Sequence, residues 1–145
     1  MGISLNPEEM LEVFGESDPR EHEAEAQQRW GETDAYRQSR RRTSSYTKDD
    51  WLQIKAATEQ VEEGLLDAMT AGLPPDSPEA MDAAEAHRAN ISRWYYDCDH
   101  DIHRGLGEMY RSDPRFAAHY EARAAGLAAY VCAAIAANAD RAGTA

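Results

Sequence analysis

Apolar positions return every three or four residues along most of the chain, and the strict alternation of a half-buried strand is missing. Between Lys48 and Ala71 the residues Trp51, Ile54, Thr58, Val61, Leu65 and Ala68 fall on one face, which predicts one long helix. Gly64 within it costs about 1 kcal/mol relative to Ala. The segment 72–78 (GLPPDSP) holds three prolines and a glycine, so it is read as a linker. Beyond it the pattern predicts helices over 78–96, 99–110, 114–122 and 125–140. The last is alanine-rich and carries Leu127, Val131 and Ile135 as its stripe, with Tyr130 beside it.

Helix starts are legible from capping chemistry. Asn6-Pro7, Asp18-Pro19, Ser77-Pro78 and Asp113-Pro114 each set a capping side chain before a proline whose fixed φ suits the first helical position. Thr47 and Asp50 form a capping box with Asp in place of Glu. Thr33 caps a helix running through Tyr36 into Arg40. The reading is an all-α fold, with Ala, Glu, Gln, Arg and Leu abundant and β-branched residues scarce.

Composition limits what such a helical chain can do. Its 145 residues carry 15 Lys+Arg against 27 Asp+Glu, a net charge of -12. That balance argues against direct contact with nucleic acid, since phosphate binding draws on Lys and Arg. No apolar run approaches the ~20 residues of a membrane span, and no signal peptide is visible, so no membrane role and a cytoplasmic location are expected. Two cysteines, Cys98 and Cys132, make no disulfide framework. The acidity is uneven: eight acidic groups and Arg20 alone occupy the first twenty-five residues, whose apolar anchors are few. Such a segment holds to a core weakly, so an N-terminal part that docks weakly on a C-terminal helical core is expected.

Chemistry-bearing residues concentrate between Trp94 and His103. Asp97, His100 and His103 repeat at three-residue spacing, which resembles half of a di-metal bundle site. The residues three before His22, His87 and His119 are Pro19, Ala84 and Phe116, so the second half is missing and no metal or cofactor is expected. A metal- or thiol-dependent enzyme using the 97–103 cluster is the alternative, and an acidic helical protein-interaction module a third reading. Nucleophilic use of Cys98 with His87 or His103 lacks an orienting third residue. Cys132, among alanines, reads as core filler. The spacing of His87, Ile91, Tyr95, Cys98 and Ile102 suggests one apolar face with polar tips, which Tyr110 joins from the next turn. Three Trp, seven Tyr and two Phe supply rings suited to a large amphipathic ligand, or to an ordinary half-buried core.

Several blocks, in register, resemble the TipAS antibiotic-recognition domain family: 29–39 (RWGETDAYRQS), 46–51 (YTKDDW), 80–88 (AMDAAEAHR), 96–98 (YDC), 106–110 (LGEMY), and 126–130 with 134–139 in the last helix. The opening, 1–9 (MGISLNPEE), resembles the start of the family's independently translated short form. The resemblance implies a globin-like multi-helix bundle with a deep cleft for thiopeptide or similar macrocyclic antibiotics. It also implies an N-terminal segment, taken as residues 1–45, that closes as a lid over the drug on a helical core, 46–145. Longer members place a MerR-type DNA-binding domain and a coiled coil ahead of this domain, and neither is among these 145 residues. The chain is then expected to act as a free drug-binding protein or as the effector part of a drug-responsive activator. Trp30 and Tyr36 are expected in the lid, with His87, Ile91, Trp94, Tyr95, Cys98, Ile102, His103 and Tyr110 lining the cleft. The family archetype carries a second cysteine seven positions after the Tyr-Asp-Cys cysteine, where this chain has Gly105. Cys98 is left as the thiol for covalent attachment, and its acidic neighbours Asp97, Asp99 and Asp101 oppose the thiolate. The expectation is tight non-covalent binding.

Overall fold

The computed structural model describes residues 5, 6, 8, 9 and 33–143. Trp30, His22 and the expected start at Asp18-Pro19 lie outside the described residues. Among the described residues the main helices are α1 (Asp34–Thr43), α2 (Lys48–Thr70), α3 (Pro78–Trp94), α4 (His100–Ser112), α5 (Pro114–Glu121) and α6 (Leu127–Gly143). Among the described residues there is no strand, and the fold is all-α.

The caps form as their chemistry dictates. Asn6 and Glu9 bond reciprocally, Glu9 N donating to Asn6 Oδ1 at 2.8 Å and Asn6 N to Glu9 Oε1 at 3.2 Å. Thr47 and Asp50 do the same at 3.2 and 2.9 Å, so the shorter Asp still closes the box. Ser77 accepts from Ala80 N at 3.2 Å, and Thr33, Asp99 and Asp113 cap α1, α4 and α5. Helix α2 stops in a Schellman turn. Gly72, at φ 78°, donates to Met69 O and Leu73 to Ala68 O, at 3.0 and 3.1 Å. A side chain there would be strained, which is why the linker opens on glycine.

The chain forms two compact units. The first comprises residues 1–57 and 91–97. Its described core is Leu5, Trp51, Ile54 and Trp94, with Tyr46 and Tyr95 packed against it. Tyr46 stands edge-on to both Trp51 and Trp94 and donates its hydroxyl hydrogen to Trp94 O.

The second unit comprises residues 58–90 and 98–145. Leu65 and Ala68 of α2, Ala80 and Ala84 of α3, Tyr120 of α5 and the stripe Leu127, Val131, Ala134 and Ile135 of α6 form its core. Helices α4 and α6 pack closely because Gly107 is small. A Cβ there would meet Cys132 Cα and Ile135 Cδ1, both at 3.4 Å. Cys132 is buried, as expected of core filler. The expected stripe of α2 changes at one position: Glu62 is buried and Val61 only half-buried. Glu62 accepts from His119 Nε2 at 2.9 Å and pairs with Arg123 Nε at 3.2 Å, so its charge is compensated where it lies.

Candidate functional site

The single helical face proposed for His87, Ile91, Tyr95, Cys98 and Ile102 does not form. Helix α3 ends at Trp94, α4 begins at His100, and the capping residue Asp99 is extended. Ile91 and Tyr95 belong to the first unit and His87, Cys98 and Ile102 to the second. Backbone groups released by this break find partners on long side chains. In the first unit Arg42 donates to Ser92 O at 2.6 Å and to Asp97 Oδ1 at 3.2 Å, while Gln38 Oε1 accepts from Asp97 N at 2.8 Å. In the second, Arg88 donates to Cys98 O at 2.7 Å. These contacts make the interruption stable, since an unpaired buried carbonyl or amide would be costly.

Within the first unit, Tyr36 and Ile91 are half-buried and Trp94 is buried. Burial, followed by the neighbouring Tyr46, pushes the Tyr95 hydroxyl up to about 12, so it remains a neutral donor at any ordinary pH. Arg93 lies over the Trp94 ring at 4.6 Å.

In the second unit His87, His103 and Tyr110 come together, along with Tyr120 and Phe116, which sequence reasoning missed. His87 of α3 and His103 of α4 are buried, the latter fully. Their rings stack at 5.1 Å and share one hydrogen bond, His87 Nδ1 to His103 Nε2, at 2.9 Å. Tyr120 Oη stands 3.5 Å from His87 Nε2, at the outer limit of a hydrogen bond. Tyr110 sits edge-on to His87 and tilted against Tyr120 and Phe116, with centroids at 5.8, 5.2 and 5.8 Å. Burial is the main cause that pushes both imidazoles down, His87 to about 4 and His103 to about 3. Both are therefore neutral at pH 7. Phe116 and Tyr120 fall four apart on α5, and the three tyrosines and phenylalanines of 110–120 were the available signal.

Cys98 is buried, and burial raises its thiol to about 11, with Asp99 and Glu85 opposing the thiolate and Arg88 favouring it. Of the three acids expected to act on it, Asp99 alone is among the causes. Ile102 is half-buried on α4, and Gly105 faces open space. Arg88 also grips Glu85 through two contacts, at 2.9 and 2.6 Å, and Asn138 of α6 donates to Glu85 at 3.0 Å. These bonds hold the Glu85 carboxyl down at about 2. Among the described residues no three His, Cys, Asp or Glu side chains converge to hold a metal ion. Asp97 pairs with Arg42 in the first unit, while His100 and His103 belong to the second.

A helical chain with a stacked imidazole pair walled by tyrosines invites comparison with known proteins. The family model of the TipAS antibiotic-recognition domain matches residues 22–138. The chain belongs to this family. It is 52% identical over 141 residues to the transcriptional activator TipA of Streptomyces coelicolor, covering 97% of this chain and 56% of that protein. It is 33% identical over 138 residues to the transcriptional activator mta of Bacillus subtilis, 92% of this chain and 52% of the other. The chain thus spans about half the length of these curated relatives. The solved structure of TipAS from Streptomyces lividans in complex with nosiheptide matches with a TM-score of 0.87 at 52% identity, covering 97% of this chain and 98% of that one. The antibiotic-binding domain of a TipA-class multidrug resistance regulator matches with a TM-score of 0.58 at 47% identity, over 63% and 97% of the two chains. Among the described residues of this TipAS-family chain, no helix is long and apolar enough to cross a membrane.

Proposed function

We propose that this chain recognises thiopeptide antibiotics, either as a free cytoplasmic drug-binding protein or as the effector part of a drug-responsive activator, and that it acts by binding rather than by catalysis. The observation that carries this is the match, at 52% identity and along 97% of the chain, to a TipAS structure solved with nosiheptide. The neutral, ring-rich interior of the second unit supports it, because a thiopeptide is flat, hydrophobic and at most weakly basic. Burying ~400 Å² of apolar surface supplies roughly 10 kcal/mol gross at ~25 cal/mol/Å², from which ordering and immobilisation subtract several kcal/mol. His87, Cys98, Ile102, His103 and Tyr110 are proposed as contacts in the second unit. Tyr36, Ile91, Trp94 and Tyr95 are candidates in the first. The division into a lid (1–45) and a core (46–145) belongs to the same proposal and rests on the acidic, anchor-poor start of the sequence.

Calorimetric titration with nosiheptide, followed in parallel by Trp emission and far-UV circular dichroism, tests this. Saturable binding with a Trp change is expected, and a gain of helicity if the leading segment folds on the drug. Absence of heat and of any Trp change would overturn the reading.

A further inference from the structure

The buried imidazoles of the second unit form part of a longer polar chain. Tyr120 Oη faces His87 Nε2, and His87 Nδ1 meets His103 Nε2, with the Tyr110 ring packed against Tyr120 at 5.2 Å. The series starts at the buried Tyr120 and ends at the fully buried His103. Its last atom, His103 Nδ1, is buried and has no hydrogen-bond partner among the described residues. His100 Nδ1, three residues earlier on α4, is also buried and unpartnered among them. Three residues of helix leave two positions about 60° apart, so both histidines stand on one face of α4.

Every link in this series is both donor and acceptor. A neutral imidazole carries one N–H and one bare nitrogen, and a phenol donates one hydrogen and accepts others. If His103 Nε2 donates to His87 Nδ1, then His103 Nδ1 is a bare acceptor, and His87 Nε2 donates toward Tyr120. If His87 Nδ1 donates instead, Tyr120 donates to His87 Nε2, and His103 Nδ1 carries a hydrogen. The end atom thus changes from acceptor to donor with no change of charge. Its charged neighbours on α3, Glu85 and Arg88, are bound to each other, so their fields largely cancel at His103. That setting favours a neutral guest over an ion.

We propose that His103 Nδ1 is a binding point for one neutral hydrogen-bonding group, and that the Tyr120–His87–His103 series reverses its direction to present a donor or an acceptor as the guest requires. A water molecule or a polar atom of a bound antibiotic supplies this chemistry. The second source rests on the antibiotic reading above. The first does not. A recognition domain built this way accepts guests of opposite hydrogen-bonding sense at one position.

The test uses the whole chain labelled with 15N in its histidines. Nitrogen shifts of His87 and His103 report which nitrogen carries the hydrogen, before and after saturation with nosiheptide. A water contact at His103 in the free chain supports the water source. A changed His103 Nδ1 shift with nosiheptide, together with a three- to tenfold loss of affinity in His103→Phe, supports the antibiotic source, as expected for one neutral hydrogen bond. Tyr120→Phe removes one link without changing ring volume, and it is expected to shift the tautomers of both histidines. The proposal is overturned if His103 shows contact with neither water nor guest, or if Tyr120→Phe leaves both tautomers as they were. Should nosiheptide fail to bind, the antibiotic reading falls, and the free-chain spectra and Tyr120→Phe still decide the series.

Discussion

Cys98 shows how burial governs the chemistry of a single residue. Its thiol, raised to about 11, is almost wholly protonated at neutral pH, and the thiolate is the reactive form. Alkylation by iodoacetamide at pH 7.5 is therefore expected to be much slower at Cys98 than at a free thiol and to accelerate toward pH 11. The intact mass after incubation with nosiheptide is expected to be that of the unmodified chain, and an adduct on Cys98 would contradict this. Two glycines on α4 make a second comparison. Gly105 faces open space in a helix interior, so Gly105→Ala is expected to stabilise by about 0.5–1 kcal/mol. Gly107 faces the backbone of Cys132, which cannot retreat as a flexible side chain would. Gly107→Leu is therefore expected to destabilise by roughly 1–3 kcal/mol in urea unfolding. Spacing alone does not separate these two glycines, because both read simply as weak points in a helix.

Individual helices follow local chemistry closely. The predicted spans 48–71 and 114–122 differ from α2 and α5 by one residue at most, because caps and prolines lie in the sequence itself. Helix α6 starts at Leu127, two residues later than expected. Gly126, at φ 88°, turns the chain there, and Glu121 accepts from Gly126 N and Ala128 N at 2.9 and 3.1 Å. The cap at Asp99 carries the most consequence, since its acceptance from Ile102 N at 2.8 Å starts α4 and so fixes where His100 and His103 stand. Asp99→Ala is expected to cost about 1 kcal/mol of stability. With the contacts proposed on α4, it is also expected to weaken nosiheptide binding, measured by the same titration. The continuous face drawn through residues 87–102 failed at this scale. Helical spacing assumes an unbroken helix, and the break is held by Arg42 and Gln38, which lie about fifty residues earlier in the chain.

For the molecule as a whole, proton linkage sets the acid limit of stability. His87 and His103 titrate near 4 and 3 when folded and near 6.5 when unfolded. The unfolded chain therefore binds more protons below pH 6.5, and stability is lost as pH falls from there toward 3. Glu85, held at about 2, adds to the loss below its ordinary range. His119 acts in the opposite sense: its bond to Glu62 raises it, so its contribution is present in acid and fades as pH rises through its folded value. Urea midpoints between pH 7 and 4 are expected to fall steeply, and His103→Phe to reduce the slope by up to about 1.4 kcal/mol per pH unit. An unchanged slope would contradict the burial of a neutral pair.

Sequence by itself determined the helical class, the places where helices start and stop, the acidity of the chain and the blocks that mark its family. Each of these is local, written in capping side chains, prolines and three-to-four spacing that neighbouring residues enforce. The tertiary structure decided which residues meet. It set Glu62 inward against His119 and Arg123, placed Tyr120 beside His87, and buried His103 with a nitrogen that no described neighbour satisfies. Those outcomes depend on packing between helices distant in sequence, where burial and compensation of charge are settled by contacts that periodicity along one helix does not encode.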